Sequence, residues 1–242
     1  MRNVQKSSGP VSLTEHRAST GTDYDGYRDK DTLRAYLVNE QRGLCCYCLS
    51  RIRLEHSAMK IEHWHSQDRY PAERLDYSNL LAACMGNEGK PAKDQHCDTR
   101  KGDRDLSRNP ANPMHRVEDV TQFTGDGRVV SRDPAFGAEL NDVLNLNLAF
   151  LVNNRKATLT AFQDPLGRGQ LSRSSLEKLL RTWNGESDAG ELRPSVKWSF
   201  TGCGSDWRAR SANSPSVATK TGVYTACFPA AASNLACARA MA

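Results

Sequence analysis

No run of 18 apolar residues occurs anywhere in the sequence, which excludes an ordinary membrane-spanning helix. The first residues, Met1-Arg-Asn-Val-Gln-Lys6, lead into Ser, Gly and Thr with no apolar stretch. A secretory signal is therefore not expected, and a cytoplasmic location follows by default. Aromatic residues make up only 7% of the chain, and the mean hydropathy is -0.65. With 242 residues, 38% of them hydrophobic, there is still enough material for one large or two small domains with a real core. The body also lacks a charge of one sign. Residues 43–105 hold ten basic and ten acidic residues, whereas residues 196–242 hold five basic and one acidic. Most of the net charge of +5 therefore sits in the last fifth of the chain, and global charge says little about what the body binds.

Cysteine is not lacking: there are eight. In a reducing compartment such cysteines are metal ligands or plain core residues rather than a disulfide framework. Residues 1–30 are polar and read as a loosely attached, extended arm. Asp31 is placed to cap a helix from Thr32 to about Arg42, with Leu33, Tyr36, Leu37 and Glu40 at helical spacing and Gly43 at its C-terminal end. Residues 120–131 predict a hairpin around Gly125-Asp-Gly127. A helix is expected within 146–162, with Leu148, Leu151 and Val152 as its apolar stripe. A second is expected over 175–184, with Ser174 and Glu177 as a capping box.

The tail from 196 to 242 is Ala/Ser-rich and scatters Cys203, Cys227 and Cys237 without ligand spacing. Codons for its first residues, read one nucleotide earlier, can spell S-E-V-V-V-Y-W-L-R-K-R-L-A, a plausible amphipathic helix. Two explanations stand: a frameshifted C-terminus, which resequencing the gene would test, or a natural disordered tail.

Two cysteine pairs frame the chemistry. Cys45 and Cys48 stand at C-x2-C spacing with Cys46 and Tyr47 inside the turn, and Cys84 with Cys97 supplies the second pair. Thiolates so arranged complete a tetrahedral structural zinc site, and the polar, core-poor segment between them needs such a staple. The plainer alternative is that two of the four are ordinary buried cysteines. Between the pairs lie Lys60-Ile-Glu-His-Trp-His65 and Leu75-Asp-Tyr-Ser-Asn-Leu-Leu-Ala-Ala-Cys84, followed by His96-Cys-Asp-Thr-Arg-Lys-Gly102.

The order C-x2-C, acid-His, Asn-Leu, Cys, then Cys-Asp-x2-Lys-Gly resembles the ββα-metal (HNH) endonuclease motif in its zinc-stapled form. Within it, the spelling is most similar to the HNH nucleases of Septu and retron-associated anti-phage systems. The resemblance covers about residues 44–104; Leu144-Asn-Leu-Asn147 to Arg155 is compatible with the same family's helical C-terminal part. It implies that His63 is a general base for water, since a neutral imidazole suits that task near pH 7. Glu62 and Asp98 would be the carboxylate ligands of one catalytic Mg2+ or Mn2+, a hard ion that prefers oxygen. Adjacent residues of a strand point to opposite faces, so a bend near Glu62 and His63 is implied. Asn79 would orient His63 through a hydrogen bond, and Lys101, with Arg100, would contact phosphate. Asp98 stands where the name-giving pattern has a third His or Asn. His65 reads as a solvated loop residue, and His96 as an extra histidine beside a zinc cysteine. Arg51, Arg53, Arg69, Arg100, Lys101 and Arg104 would line a backbone groove or form an ordinary mixed-charge surface.

The expected fold is α+β: a small zinc-stapled ββα-metal core, residues 44–104, in a mainly helical body. An arm and helix (1–43) precede it, and a hairpin and helical region (105–195) and the tail (196–242) follow. The expected function is a metal-dependent endonuclease, acting on DNA first, in anti-phage defence. The resemblance implies an ABC/AAA-type ATPase partner and, in some systems, a retron reverse transcriptase with its msDNA. Two alternatives are a zinc-stapled module that only grips nucleic acid and an effector that cleaves RNA such as tRNA.

Overall fold

The computed structural model describes residues 1–167 and, beyond them, positions 174, 175, 178, 181 and 182. The described residues form helices α1 (Val11–Ala18) and α2 (Lys30–Glu40), strands β1 (Lys60–His63) and β2 (Leu80–Ala83), and helix α3 (Cys97–Lys101). Helix α4 (Val117–Val120), strands β3 (Thr121–Phe123) and β4 (Val129–Ser131), and helices α5 (Pro134–Asp142) and α6 (Ala149–Gly167) follow. The class is α+β: helices with two small two-stranded sheets. No helix among the described residues is long and apolar enough to cross a membrane.

β1 and β2 pair antiparallel, with Glu62 opposite Leu81 and His63 opposite Leu80. All four residues of β2 are buried, so this strand carries an unbroken apolar run rather than an alternation. One reason is α2, which lays Leu33 and Leu37, one turn apart and fully buried, against it. Truncating either leucine to alanine would cost about 2–5 kcal/mol. The open edge of β2 is closed by a side chain that mimics a strand. Gln41 Nε2 donates to the Ala82 carbonyl at 2.7 Å, and Gln41 Oε1 accepts from the Ala82 N–H at 2.7 Å. The Cys46 N–H also reaches the Ala82 carbonyl at 3.0 Å, which fastens the first cysteine pair to the sheet.

α2 starts two residues earlier than expected, with Asp29 at the cap position and Asp31 in the first turn. The Asp29 carboxylate is taken by the Ser12 hydroxyl at 2.7 Å, so α1 and α2 are tied where the sequence suggested only a cap. Gly43 does close the helix, at φ +74° with its N–H on the Val38 carbonyl at 2.9 Å.

Residues 1–30 are not a loose arm. Met1 is 1% exposed, and Val4, Leu13 and Tyr27 are buried in the same core. The Lys6 ammonium sits 3.0 Å from Glu40, donates to the Leu80 carbonyl at 3.0 Å, and lies 3.6 Å above the Tyr77 ring. A few apolar anchors and one multiply bonded lysine outweigh a polar composition. One apolar cluster runs from Met1 to Leu151, so the segments 1–43, 44–104 and 105–151 share a core.

The hairpin falls where predicted, Phe123 pairing with Val129 across a loop in which Gly127 takes φ +90°. Asp133 caps α5 by accepting from the Ala135 and Phe136 N–H groups, and the helix buries Phe136 and Leu140. α6 starts inside the expected 146–162 but runs on to Gly167; of the expected stripe it buries Leu151, leaves Val152 half-buried, and Leu148 precedes it. The five described positions between 174 and 182 are helical; the rest of the helix expected over 175–184 and the tail 196–242 lie outside the described residues.

Candidate metal centre and the adjoining carboxylate–histidine site

Cys45 and Cys48 belong to a turn before β1, Cys84 follows the last residue of β2, and Cys97 is the first residue of α3. The turn is closed by backbone bonds: the Cys45 N–H reaches Ser50 O at 2.9 Å, and the Leu49 N–H reaches Cys45 O at 3.2 Å. The second pair is brought together at Gly86, where the His96 N–H reaches the Gly86 carbonyl at 3.0 Å. Gly86 has φ +58°, and a Cβ there would lie 2.2 Å from the His96 carbonyl, so only glycine fits the approach. The four sulfurs all lie within 4.8 Å of one another. Cys45 and Cys97 are 3.9 Å apart and Cys48 and Cys84 3.7 Å. Four sulfurs at Zn–S distance from a common centre are about 3.8 Å apart, so the cluster matches a tetrahedral thiolate site. Cys46 stays out of the group, as the turn geometry implied.

On the same strand and helix stands a polar group. Glu62 of β1 is 2% exposed, and the Tyr47 hydroxyl donates to its Oε1 at 2.7 Å. Lys101 Nζ sits 2.9 Å from the same oxygen and also donates to the His63 carbonyl at 3.0 Å. Asp98, one helical turn before Lys101, lies 3.7 Å from the Lys60 ammonium and close enough for its charge to act on Glu62. Burial, with the Asp98 charge added, holds the Glu62 pKa well above the ordinary carboxylate value despite Lys101 and Tyr47. Two carboxylates packed this closely make a donor set that a hard divalent cation satisfies.

His63 closes β1, and both Glu62 and His63 stay in regular strand; the bend expected at that pair comes after it, at Trp64 and His65. His63 Nε2 lies 3.0 Å from the Arg74 carbonyl. A carbonyl only accepts, so Nε2 carries the proton and the neutral ring presents Nδ1 as its acceptor. Burial lowers the His63 pKa to about 4, so the ring is neutral at pH 7. Tyr24, from the segment between α1 and α2, meets the imidazole edge-on at 4.5 Å between centroids. Burial also raises the Tyr24 pKa to about 12. Beside it opens a cavity of about 170 Å3 lined by Asp23, Tyr24, Asp25, Gln67, Asp68 and Arg74.

Three expectations change. Asn79 does not hydrogen-bond the His63 ring. It clamps the bend after it, accepting from the His65 N–H at 2.7 Å and donating to the His65 and Glu73 carbonyls at 3.0 and 3.2 Å. Lys101 is no surface phosphate contact: its side chain is 1% exposed and props Glu62 and His63 from within. The helix is one short turn closed by Gly102 at φ +54°, and Lys101, its last residue, is buried. His65 is no solvated loop residue either, being stacked between Trp64 and Tyr70 at 4.0 and 4.1 Å with Nδ1 2.7 Å from Glu73.

Arg100 is half-buried on the Ala92 carbonyl at 3.0 Å. Arg69 pairs with Asp105 at 2.7 Å, and Arg104 donates to the carbonyls of Asp142 and Val143. Much of the expected basic groove is thus spent on the protein itself. Tyr47, Tyr24, Gln41 and Arg74 were missed as members of the site. Only Tyr47, inside the cysteine turn, stood where the sequence already drew attention.

No family model matches the chain, and no curated protein matches it.

Proposed function

We propose that the chain is a metal-dependent endonuclease of the HNH (ββα-metal) type, hydrolysing phosphodiester bonds with DNA as its first substrate. One observation supports the reading: Glu62 and the neutral His63 are neighbours in β1, and Asp98 on α3 follows the cluster cysteine Cys97, so the carboxylates and the imidazole share the β1–β2–α3 frame with the four cysteines. In this reading Cys45, Cys48, Cys84 and Cys97 hold a structural zinc ion, while Glu62 and Asp98 hold Mg2+ or Mn2+. The divalent ion supplies charge stabilisation at the scissile phosphate and the leaving oxygen. His63 Nδ1 takes the proton of the attacking water, while Nε2 stays fixed on Arg74. Lys101 and Tyr47 hold Glu62 in place, and Asn79 fixes the bend that aims His63. A role in anti-phage defence with an ATPase, and in some systems a retron, is part of the same proposal.

The test is cleavage of supercoiled plasmid and of total tRNA, with and without Mg2+ or Mn2+, by the wild type and His63→Ala. A second set adds the ATPase encoded alongside. Removing a general base should lower the rate by about 10²–10⁴-fold and leave zinc content unchanged. An equal rate in the mutant removes His63 from the chemistry. Cleavage of tRNA alone replaces DNA with RNA. A second reading, a non-catalytic nucleic-acid-binding module, is favoured by the Lys101 ammonium, which already balances Glu62 without any metal. Zinc-loaded protein that binds nucleic acid but cuts neither substrate, even with the ATPase, would establish it.

A further inference from the structure

We infer that Arg155 of α6 is the counter-charge of a metal–thiolate cluster, a positioning residue that makes the start of α6 a wall of the cysteine site. The inference rests on the metal reading of the four cysteines. Arg155 is 2% exposed, and no carboxylate among the described residues pairs with it. Its Nη2 donates to the Leu146 carbonyl, and its Nε is buried without a hydrogen-bond partner. Burial lowers its pKa to about 10, so the guanidinium is still charged at pH 7 and its burial needs an anion nearby. The guanidinium lies 5.9 Å over the Phe123 ring, and Leu146, which takes its Nη2, stands two residues from Leu144, whose carbonyl takes the Cys97 N–H at 2.9 Å. The cation therefore stands at the cysteine corner, where Cys48 and Cys97 favour its charged form against burial.

Neutral thiols would leave that cation uncompensated. Four thiolates around one divalent ion carry a net charge of two minus, and a buried dianion is as costly as a buried cation. Each therefore explains the other. One surrounding contact agrees: His96 Nδ1 lies 3.1 Å from Cys97 Sγ. The segment leading into α6 is built onto the same corner. Leu144 O accepts from the Cys97 N–H at 2.9 Å, Asn145 Nδ2 donates to the Lys93 and Gln95 carbonyls, and Phe150 meets the His96 ring edge-on at 5.2 Å. Metal binding and the seating of α6 are accordingly one event.

The experiment compares Arg155→Met, which keeps an unbranched stem without charge, with Arg155→Lys, which keeps the charge. Zinc per chain is measured first, then zinc affinity by competition with a chromogenic chelator, with circular dichroism checking the fold. The wild type should hold one zinc. Loss of an outer-shell partner typically weakens metal binding about 10–100-fold, and Arg155→Met should do so while Arg155→Lys stays close to wild type. If Arg155→Met does not fold, Arg155→Gln takes its place as the neutral variant. Equal zinc affinity in the neutral variant and the wild type overturns the inference. So does equal loss in the lysine and neutral variants, which would mark Arg155 as packing only. A wild type without zinc removes the metal reading itself, a different failure from the other two.

Discussion

Two groups share β1, β2 and α3 and differ in what completes them. The cysteine cluster is made of four identical soft ligands at matched spacing in a closed pocket, with one cation behind it. The carboxylate–histidine group is made of unlike residues, each held by a different neighbour: Glu62 by Tyr47 and Lys101, His63 by Arg74 and Tyr24. The first has a complete coordination set and needs only an ion. The second spends one Glu62 oxygen on internal partners and keeps one acceptor nitrogen uncommitted. A structural site is closed by its ligands, whereas a reactive one must keep something open.

The comparison is broken most severely at the cysteines. If the four-cysteine cluster holds zinc as proposed, Cys84→Ser should lose it and, with it, much of the cooperative unfolding transition, because the binding energy of a structural metal is folding energy. Zinc analysis and a thermal melt check this, and a strong chelator added to the wild type should reproduce it. An unshifted melt would mean that the apolar core alone holds the fold.

The polar group answers to single-partner removal. Lys101→Met should cost about 1–3 kcal/mol, since it leaves the buried Glu62 carboxyl and the His63 carbonyl without their shared donor. Adding Glu62→Gln to it should restore part of that loss, measurable by urea unfolding of the two variants. No restoration would mean that Lys101 contributes through packing. Zinc content should stay at one per chain in both, which keeps this group separate from the first.

The smallest effect lies outside both sites. Burial opposes ionisation of Glu40, but hydrogen bonds from Ser7 and the Lys6 ammonium outweigh it and hold the Glu40 pKa below the usual value. The folded state therefore prefers the ionised form. Its contribution is present above pH 4.5 and is lost as the pH falls through the lowered pKa. The stability difference between wild type and Glu40→Gln should thus shrink on acidification below pH 4.5; a difference constant from pH 7 to pH 3 would rule this latch out.

Local chemistry was readable where one short stretch decides it. The Cys45–Cys48 turn, the Gly127 hairpin and the Gly43 helix end each depend on a few neighbouring residues, and each stands as expected. The four-cysteine grouping was readable because zinc ligands recur at characteristic spacings. Residues 1–30 were misjudged because mean polarity hides a few anchors, here Met1, Val4, Leu13 and Tyr27. Lys101 was misjudged because a lysine beside a carboxylate motif reads as a phosphate ligand unless one knows that its short helix points it inward. Asn79 was assigned to the His63 ring and instead holds the backbone of His65 and Glu73, since a strand pattern does not say which backbone groups a neighbouring loop presents.

By itself, then, the sequence determined the ligand set, the hairpin, α2 and the mixed helix-and-strand class, because these follow from local spacing, turn chemistry and periodicity. Tertiary structure alone decided that the first thirty residues are part of the core, that Tyr24 meets the His63 ring, and that Arg155 is buried where Cys48 and Cys97, 107 and 58 residues away, act on its charge. The physical reason is the same in each case. A buried charge or ring takes its meaning from whatever the chain brings against it, and that partner carries no signal in its own neighbourhood of the sequence.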